Sequence, residues 1–265
     1  MAEPRTETRW TAIVLAGQRP EGDPLAEHCG QTYKALIPIA GQSMLSRVCD
    51  TLLACPQIER IVILAQEPEQ LLTGDAAVLA DNPKVSTATS SSGIAASIAG
   101  IAGSGTAPWP ILVTTADHAL LKKAMVDEFL DGVGDSDVAV AVGEKRIVES
   151  GFPETKRTWL KFSDGHYSGA NLFALTGPSA LAALDLWSGI EQDRKKSLSI
   201  ISRFGPLLLI RALTRTIGFP DAVRKAGKRL GLTAKPVALS QPEAVIDVDK
   251  LADLELVERI LSDGQ

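Results

Sequence analysis

The sequence is short of the residues from which disulfide frameworks and zinc sites are built. Its 265 residues include three cysteines, Cys29, Cys49 and Cys55, and three histidines. The cysteine count is odd and no CxxC spacing occurs, so neither a fully paired disulfide scaffold nor a zinc cluster can be assembled. Reduced structural thiols are the expectation. The polar opening, MAEPRTETRW, has no apolar segment followed by a small-residue cleavage site, which predicts a cytoplasmic location. The long charge-free stretch from Val85 to Ala116 is broken by Gly, Ser, Thr, Pro108 and Pro110, unlike a membrane-spanning helix. A general basic excess is missing as well: the net charge of −5 argues against a nucleic-acid partner. No internal repeat or low-complexity tract occurs.

The composition, 45% hydrophobic and 22% charged, is that of an ordinary globular chain with a sizeable core. The charge is unevenly spread, because residues 191–235 hold 11 Lys and Arg against 3 Asp and Glu, a net of +8 that leaves −13 for the rest. Short β-branched runs recur at Thr11–Leu15, Ile61–Leu64, Ile111–Thr114 and Val138–Val142, with helical patterns near 43–54, 93–102 and 122–131 between them. Buried strands alternating with helices predict a three-layer α/β/α fold around a mostly parallel central sheet. In such a fold ligands sit at the carboxyl ends of the strands. A further strand is expected at Ala170–Leu175, followed by a helix that Pro178 would start. A last strand is expected at Ala244–Val248 and an amphipathic helix over 251–262. The whole, 1–265, reads as one domain with a helical basic insertion at 187–235.

The candidate chemistry lies just past the strands. The first strand runs into Leu15-Ala16-Gly17-Gln18-Arg19, and Lys34-Ala35-Leu36-Ile37-Pro38 follows downstream. A glycine beyond a strand lets backbone N–H groups approach a phosphate or a base edge, and a nearby lysine can neutralise triphosphate charge. Ser97-Ile98-Ala99-Gly100-Ile101 follows the small-residue run Ser90-Ser91-Ser92-Gly93. Val113-Thr114-Thr115-Ala116-Asp117 ends a strand in a carboxylate, and Ile246-Asp247-Val248-Asp249 supplies two more.

In this order and spacing the four segments resemble the nucleotidyltransferases of GT-A-like, Rossmann-like fold. That group includes the molybdenum-cofactor guanylyl- and cytidylyltransferases and the methylerythritol-phosphate cytidylyltransferases. The resemblance implies an NTP substrate, Mg²⁺, a small phosphorylated or hydroxylated acceptor and release of pyrophosphate. It implies that Leu15, Ala16, Gly17, Gln18, Arg19, Lys34, Ser92, Gly93 and Ser97 bind the nucleotide. Lys34, Asp117 and Asp247 become the catalytic set, and Asp117, Asp247 and Asp249 the metal ligands; Gly169 and Asn171 are placed near the acceptor. The run into Ser97 is closer to the cytidylyl branch, which favours CTP. The first loop departs from the family's LAGGxSxRMG, since its second glycine and standard arginine are absent. Asp117 is followed by His118-Ala119 rather than by a residue and proline.

Each residue also has a plainer reading. A strand-terminal Asp117 can be a helix N-cap, Asp253 suits capping of the last helix, and Ser97 can be a surface serine. His118 is as suited to orienting a loop as to acid–base work. Two other functions compete. Asp247-Val248-Asp249 is an Asp-x-Asp of the kind a nucleotide-sugar glycosyltransferase uses, and the altered first loop would suit a non-catalytic nucleotide-binding relative. A dinucleotide-binding dehydrogenase is excluded by the lack of G-x-G-x-x-G. The basic 191–235 stretch, with Phe204, Leu207, Leu208, Leu209 and Ile210 among its cations, suits a lid, a homodimer contact or a peripheral membrane surface.

Overall fold

The computed structural model describes residues 8–18, 21–91, 93–192 and 205–263. In chain order the elements are β1 (Trp10–Leu15), α1 (Pro24–His28), the hairpin β2 (Pro38–Ile39) and β3 (Gln42–Ser43), α2 (Met44–Leu53), β4 (Ile58–Ala65) and β5 (Val85–Thr89). There follow α3 (Ile94–Ile101), β6 (Ile111–Thr115), α4 (Lys123–Val133), β7 (Val138–Glu144), α5 (Lys145–Gly151), β8 (Leu160–Phe162), β9 (Gly165–Leu175) and α6 (Leu181–Gln192). Beyond residue 204 come α7 (Pro206–Leu213), α8 (Phe219–Arg229), β10 (Ala234–Leu239) and α9 (Leu251–Asp263).

The strands form one sheet in the order β10-β7-β9-β6-β1-β4-β5, with β8 paired on β9. The pairings of β1, β4, β5 and β6 are parallel, as is that of β10 with β7; β9 runs antiparallel between β6 and β7. The strands read as nearly unbroken apolar runs because both faces are covered. Ala12 and Val14 point to one face, against Leu45, Val48 and Leu52 of α2 and Met125, Val126 and Phe129 of α4. Ile13, Val62, Ile111 and Val113 point to the other, against Ile98 of α3 and Leu184 of α6. Each fully buried Leu or Ile contributes about 1.5–3 kcal/mol, so these two layers hold the sheet in place. The three-layer α/β/α fold is as the sequence predicts.

Register decides where the chemistry falls. Leu15 pairs with Leu64 on one side and Thr115 on the other, so β1, β4 and β6 end level. The loops carrying Gly17, Gln66 and Asp117 therefore leave the sheet side by side.

The strand expected at Ala244–Val248 is a correction. Pro242–Val245 is a 3₁₀ turn, and the N–H of Val248 donates to the carbonyl of Asp117 at 3.1 Å instead of to a ladder. Pro242 starts that turn with its φ preset. The edge strand is β10, which the sequence hides by placing Pro236 in it; an edge strand tolerates proline because one side of its backbone has no ladder partner. Within 187–235, α7 and α8 are helical as expected, while Phe204 lies outside the described residues.

Candidate active site

A cleft of about 1020 Å³ opens at the carboxyl ends of β1, β4 and β6, lined by Leu15, Gly17, Gln18, Lys34, Gln66, Ser91, Gly93, Ser97, Asp117 and Asp249 among others. Four segments distant in sequence build it.

The first is the loop after β1. Gln18 is latched at two points by the carboxamide of Gln66, which accepts from the Gln18 N–H and donates to its carbonyl, both at 3.0 Å. A Cβ at position 17 would stand 3.2 Å from Gln66 Oε1, so glycine keeps this latch closed. The Gln18 N–H is thus committed to Gln66 and is not directed at the cleft, while the Gln18 side chain accepts from the N–H of Lys34 at 3.3 Å. Arg19 lies outside the described residues. Asp23 caps α1, accepting from the N–H groups of Leu25 and Ala26 at 2.9 and 3.1 Å.

The second and third segments bring charge together. Lys34 Nζ lies 2.7 Å from Asp117 Oδ2 and 2.7 Å from Asp249 Oδ1. Burial works against the charge of this ammonium, and the attraction and hydrogen bonds of the two aspartates outweigh it, so its pKa rises above the ordinary lysine value. The hydrogen bond from Val248 to Asp117 puts the Asp247-Val248-Asp249 segment beside the Asp117 loop. Asp249 faces Lys34, whereas Asp247 turns inward to Arg157 and to Asn171 Nδ2, the latter at 3.2 Å. Burial, then the charge of Asp249, raises the Asp247 pKa, with Arg157 opposing. Arg157 also pairs with Asp253 at 3.2 Å, and Asp253 accepts from the Asp249 N–H at 3.3 Å. Asp253 therefore ties down the loop before α9.

The fourth segment is the turn into α3. Ser97 Oγ donates to the Gly93 carbonyl at 2.6 Å and accepts from the Ser91 N–H at 2.8 Å, so this serine is buried and shapes the turn. Ser92 lies outside the described residues.

The chemistry of the donor set fits Mg²⁺. Asp117 and Asp249 converge on one cation, and Asp117 Oδ1 is buried without a hydrogen-bond partner. Among the described residues no group of three or more His, Cys, Asp or Glu side chains is arranged to hold a metal. The expected trio therefore separates into two carboxylates on the cleft and one, Asp247, engaged behind it. Two protein carboxylates suit a Mg²⁺ that takes its other ligands from phosphates and water.

His118 is fully buried. Burial pushes its pKa down to about 4 even though Asp117 and the backbone at Ala244 favour the proton. Against β7, Gly169 pairs with Val142 and Phe173 with Val140, so three residues of β9 stand opposite one of β7, and Asn171 among them adopts a positive φ of 49°. Sequence reasoning missed Arg157 and Gln66. Gln66 directly follows β4, where the strand-end rule could have found it; Arg157 sits in a polar stretch with no local signal.

The family described as MobA-like NTP transferase domain matches residues 12–202. No curated protein matches the chain. Among solved structures, a hypothetical transferase from Thermus thermophilus is similar with a TM-score of 0.77 and 27% identity, over 93% of this chain and 100% of its own. A 4-diphosphocytidyl-2C-methyl-D-erythritol synthase from Anaerococcus prevotii shares the fold with a TM-score of 0.58 and 11% identity, over 97% of each chain. CMP:2-keto-3-deoxy-manno-octonic acid synthetase complexed with CTP does so with 0.58 and 14%, over 97% of this chain and 100% of that one.

Proposed function

Because the chain belongs to the MobA-like NTP transferase domain family and is on that ground a nucleotidyltransferase, we propose that it is a magnesium-dependent cytidylyltransferase. It transfers CMP from CTP to a small phosphorylated or hydroxylated acceptor and releases pyrophosphate. The observation that carries this reading is the Lys34 ammonium held at 2.7 Å between Asp117 and Asp249 on the wall of the cleft.

The reaction is attack of an acceptor oxygen on the α-phosphorus, which builds negative charge on the phosphoryl oxygens and on the leaving pyrophosphate. A site for it needs positioning and positive charge, not a protein nucleophile. Asp117 and Asp249 are the residues that would hold Mg²⁺, which when bound supplies electrostatic stabilisation of phosphate oxygens. Lys34 stays protonated because both neighbours favour its charge. Incoming phosphates compete with the two carboxylates for it, and a flexible ammonium can exchange partners without leaving its place. The Gln18–Gln66 latch fixes the loop after β1, and Ser90, Ser91 and Gly93 beside Leu15 leave a small-residue wall for base and ribose. CTP is favoured by that wall and by the CTP bound in the synthetase of like fold. Asn171 donates to Asp247 Oδ2 behind the cleft wall, and neither it nor Gly169 is among the residues that line the cleft, so their expected contact with the acceptor requires it to reach past Asp247.

An Asp-x-Asp acting as one metal-binding unit, the glycosyltransferase alternative, needs Asp247 and Asp249 to converge; here they face different cations. The test is thermal unfolding with each of four NTPs and Mg²⁺, followed by pyrophosphate release with a panel of sugar phosphates and polyol phosphates. A ligand of the native state raises stability by mass action, so CTP is expected to give the largest shift. A larger shift with GTP would overturn the base assignment, and NDP release from a nucleotide-sugar would overturn the reaction.

A further inference from the structure

Helix α7 has no buried residue, although it reads Pro-Leu-Leu-Leu-Ile-Arg-Ala-Leu. Leu207, Ile210 and Leu213 are 70%, 55% and 73% exposed and recur at helical spacing, so one stripe of large apolar side chains faces water. Leaving such a stripe uncovered is unfavourable, and clustered exposed apolar groups mark a surface that something else covers.

The neighbouring helix supplies charge of one sign. Together α7 and α8 enclose a recess of about 340 Å³ lined by Leu207, Leu208, Arg211, Lys225, Lys228 and Arg229. The single acidic residue of α8, Asp221, pairs with Arg224 at 2.7 Å. Among the described residues no carboxylate pairs with Lys225, Lys228 or Arg229. Arg211 donates to the carbonyl of Thr216 at 2.8 Å, which holds its guanidinium at the end of α7. Neither helix falls within the residues that the transferase family matches.

We propose that the α7–α8 face docks on an anionic phospholipid bilayer, the leucine and isoleucine stripe entering the headgroup boundary and the recess receiving lipid phosphate. An interfacial helix needs both parts, since apolar burial gives depth and cations give attraction to acidic headgroups. Charge complementarity decides among occupants. A second copy of the same face would bring its cations against these, and a nucleic acid would satisfy the cations but leave the apolar stripe in water. No helix among the described residues is long and apolar enough to cross a membrane, so the contact is peripheral. This docking is independent of the transfer reaction, and either can fail without the other.

Flotation of the full chain with vesicles tests it. The protein is expected to float with equal parts phosphatidylcholine and phosphatidylglycerol at low salt, to stay behind with phosphatidylcholine alone, and to detach as salt rises. Lys225→Gln and Lys228→Gln should each weaken partitioning about fivefold. Leu213→Ser should weaken it while the unfolding temperature holds, because the side chain is exposed. Absence from the anionic vesicle fraction at low salt overturns the proposal. So does equal flotation with both lipids, indifference to the lysine variants, or a vesicle-free dimer that Leu213→Ser dissolves.

Discussion

Two cations in this protein are each held between two aspartates, and they differ in what surrounds them. Lys34 lies between Asp117 and Asp249 on the cleft wall, with side-chain exposures of 17%, 21% and 64%. Arg157 lies between Asp247 and Asp253 behind that wall, with 9% exposure for the arginine and 9% for Asp253. The carboxylates come from one short segment, Asp247-Val248-Asp249 with Asp253, apart from Asp117. Arginine's planar fork engages two carboxylates at once and cannot lose its proton, whereas a lysine is a point charge on a flexible stem. The same pairing is thus a fixed tie where it is buried and an exchangeable contact where it meets the cleft. One holds the loop, and the other is the one that the proposed function brings to the phosphates.

The sharpest way to break this contrast is at the open site. Asp117→Asn keeps the shape and removes the charge, and is expected to lower kcat by roughly 10²–10³ with little change in unfolding temperature. Pyrophosphate release under saturating CTP and acceptor measures it. Near-normal turnover would take Asp117 out of the chemistry and reduce its pairing with Lys34 to structure.

At the closed site the ordering of effects should reverse. Arg157→Met leaves the buried Asp253 and the half-buried Asp247 without a counter-charge, a change of about 3–5 kcal/mol, which lowers the unfolding temperature by roughly 10 °C. Activity then falls as a consequence, because Asp249 hangs on the Asp253 carboxylate through its N–H. Arg157→Lys should restore only part of the stability, since one ammonium does not bridge both partners. An unchanged unfolding temperature in the methionine variant would mean the buried tie holds nothing.

The open site was largely legible in the sequence and the closed one was not, for a physical reason. Gly17 and Asp117 follow strands, so alternation of apolar runs and loops points to them, while Lys34, in the short turn Lys34–Leu36, is reached through the family resemblance. Asp247 and Asp249 are both expected as metal ligands, because two residues of one Asp-x-Asp cannot be told apart until the backbone turn between them is known. That turn depends on the hydrogen bond from Val248 to Asp117, which joins residues far apart in the chain. Arg157 is invisible to any pattern, since its meaning comes from two partners some ninety residues away. The same long-range dependence explains β10: its first residues fall in the stretch expected to be helical, its proline gives no strand signal, and only its place at the sheet edge beside β7 makes a strand of it.

Lys34 offers a smaller and more discriminating effect. Lys34→Met should lower kcat/KM for CTP by about 10², yet change stability by under about 1 kcal/mol, as one of its partners is mostly exposed and water can take over. Steady-state kinetics beside thermal unfolding separates the two. A stability loss as large as that of Arg157→Met would erase the contrast between the sites.

The smallest effect concerns how the closed site is anchored to the sheet. Asn171 has a φ of 49° in the bulge of β9 and donates to Asp247 Oδ2 at 3.2 Å. An L side chain other than Asn or Asp takes this left-handed conformation at a cost of about 1 kcal/mol, while glycine takes it freely. Asn171→Ala loses the hydrogen bond and adds the strain; Asn171→Gly loses the hydrogen bond alone. The glycine variant should therefore unfold between wild type and the alanine variant, with the two substitutions about 1 kcal/mol apart. Should they unfold together, the bulge relaxes and the conformation of Asn171 is not held by the strand around it. The acceptor supplies the second readout. If Asn171 serves only as an anchor for Asp247, the KM for the acceptor stays at the wild-type value in the glycine variant. A rise in that KM with kcat intact would place its amide on the acceptor as well.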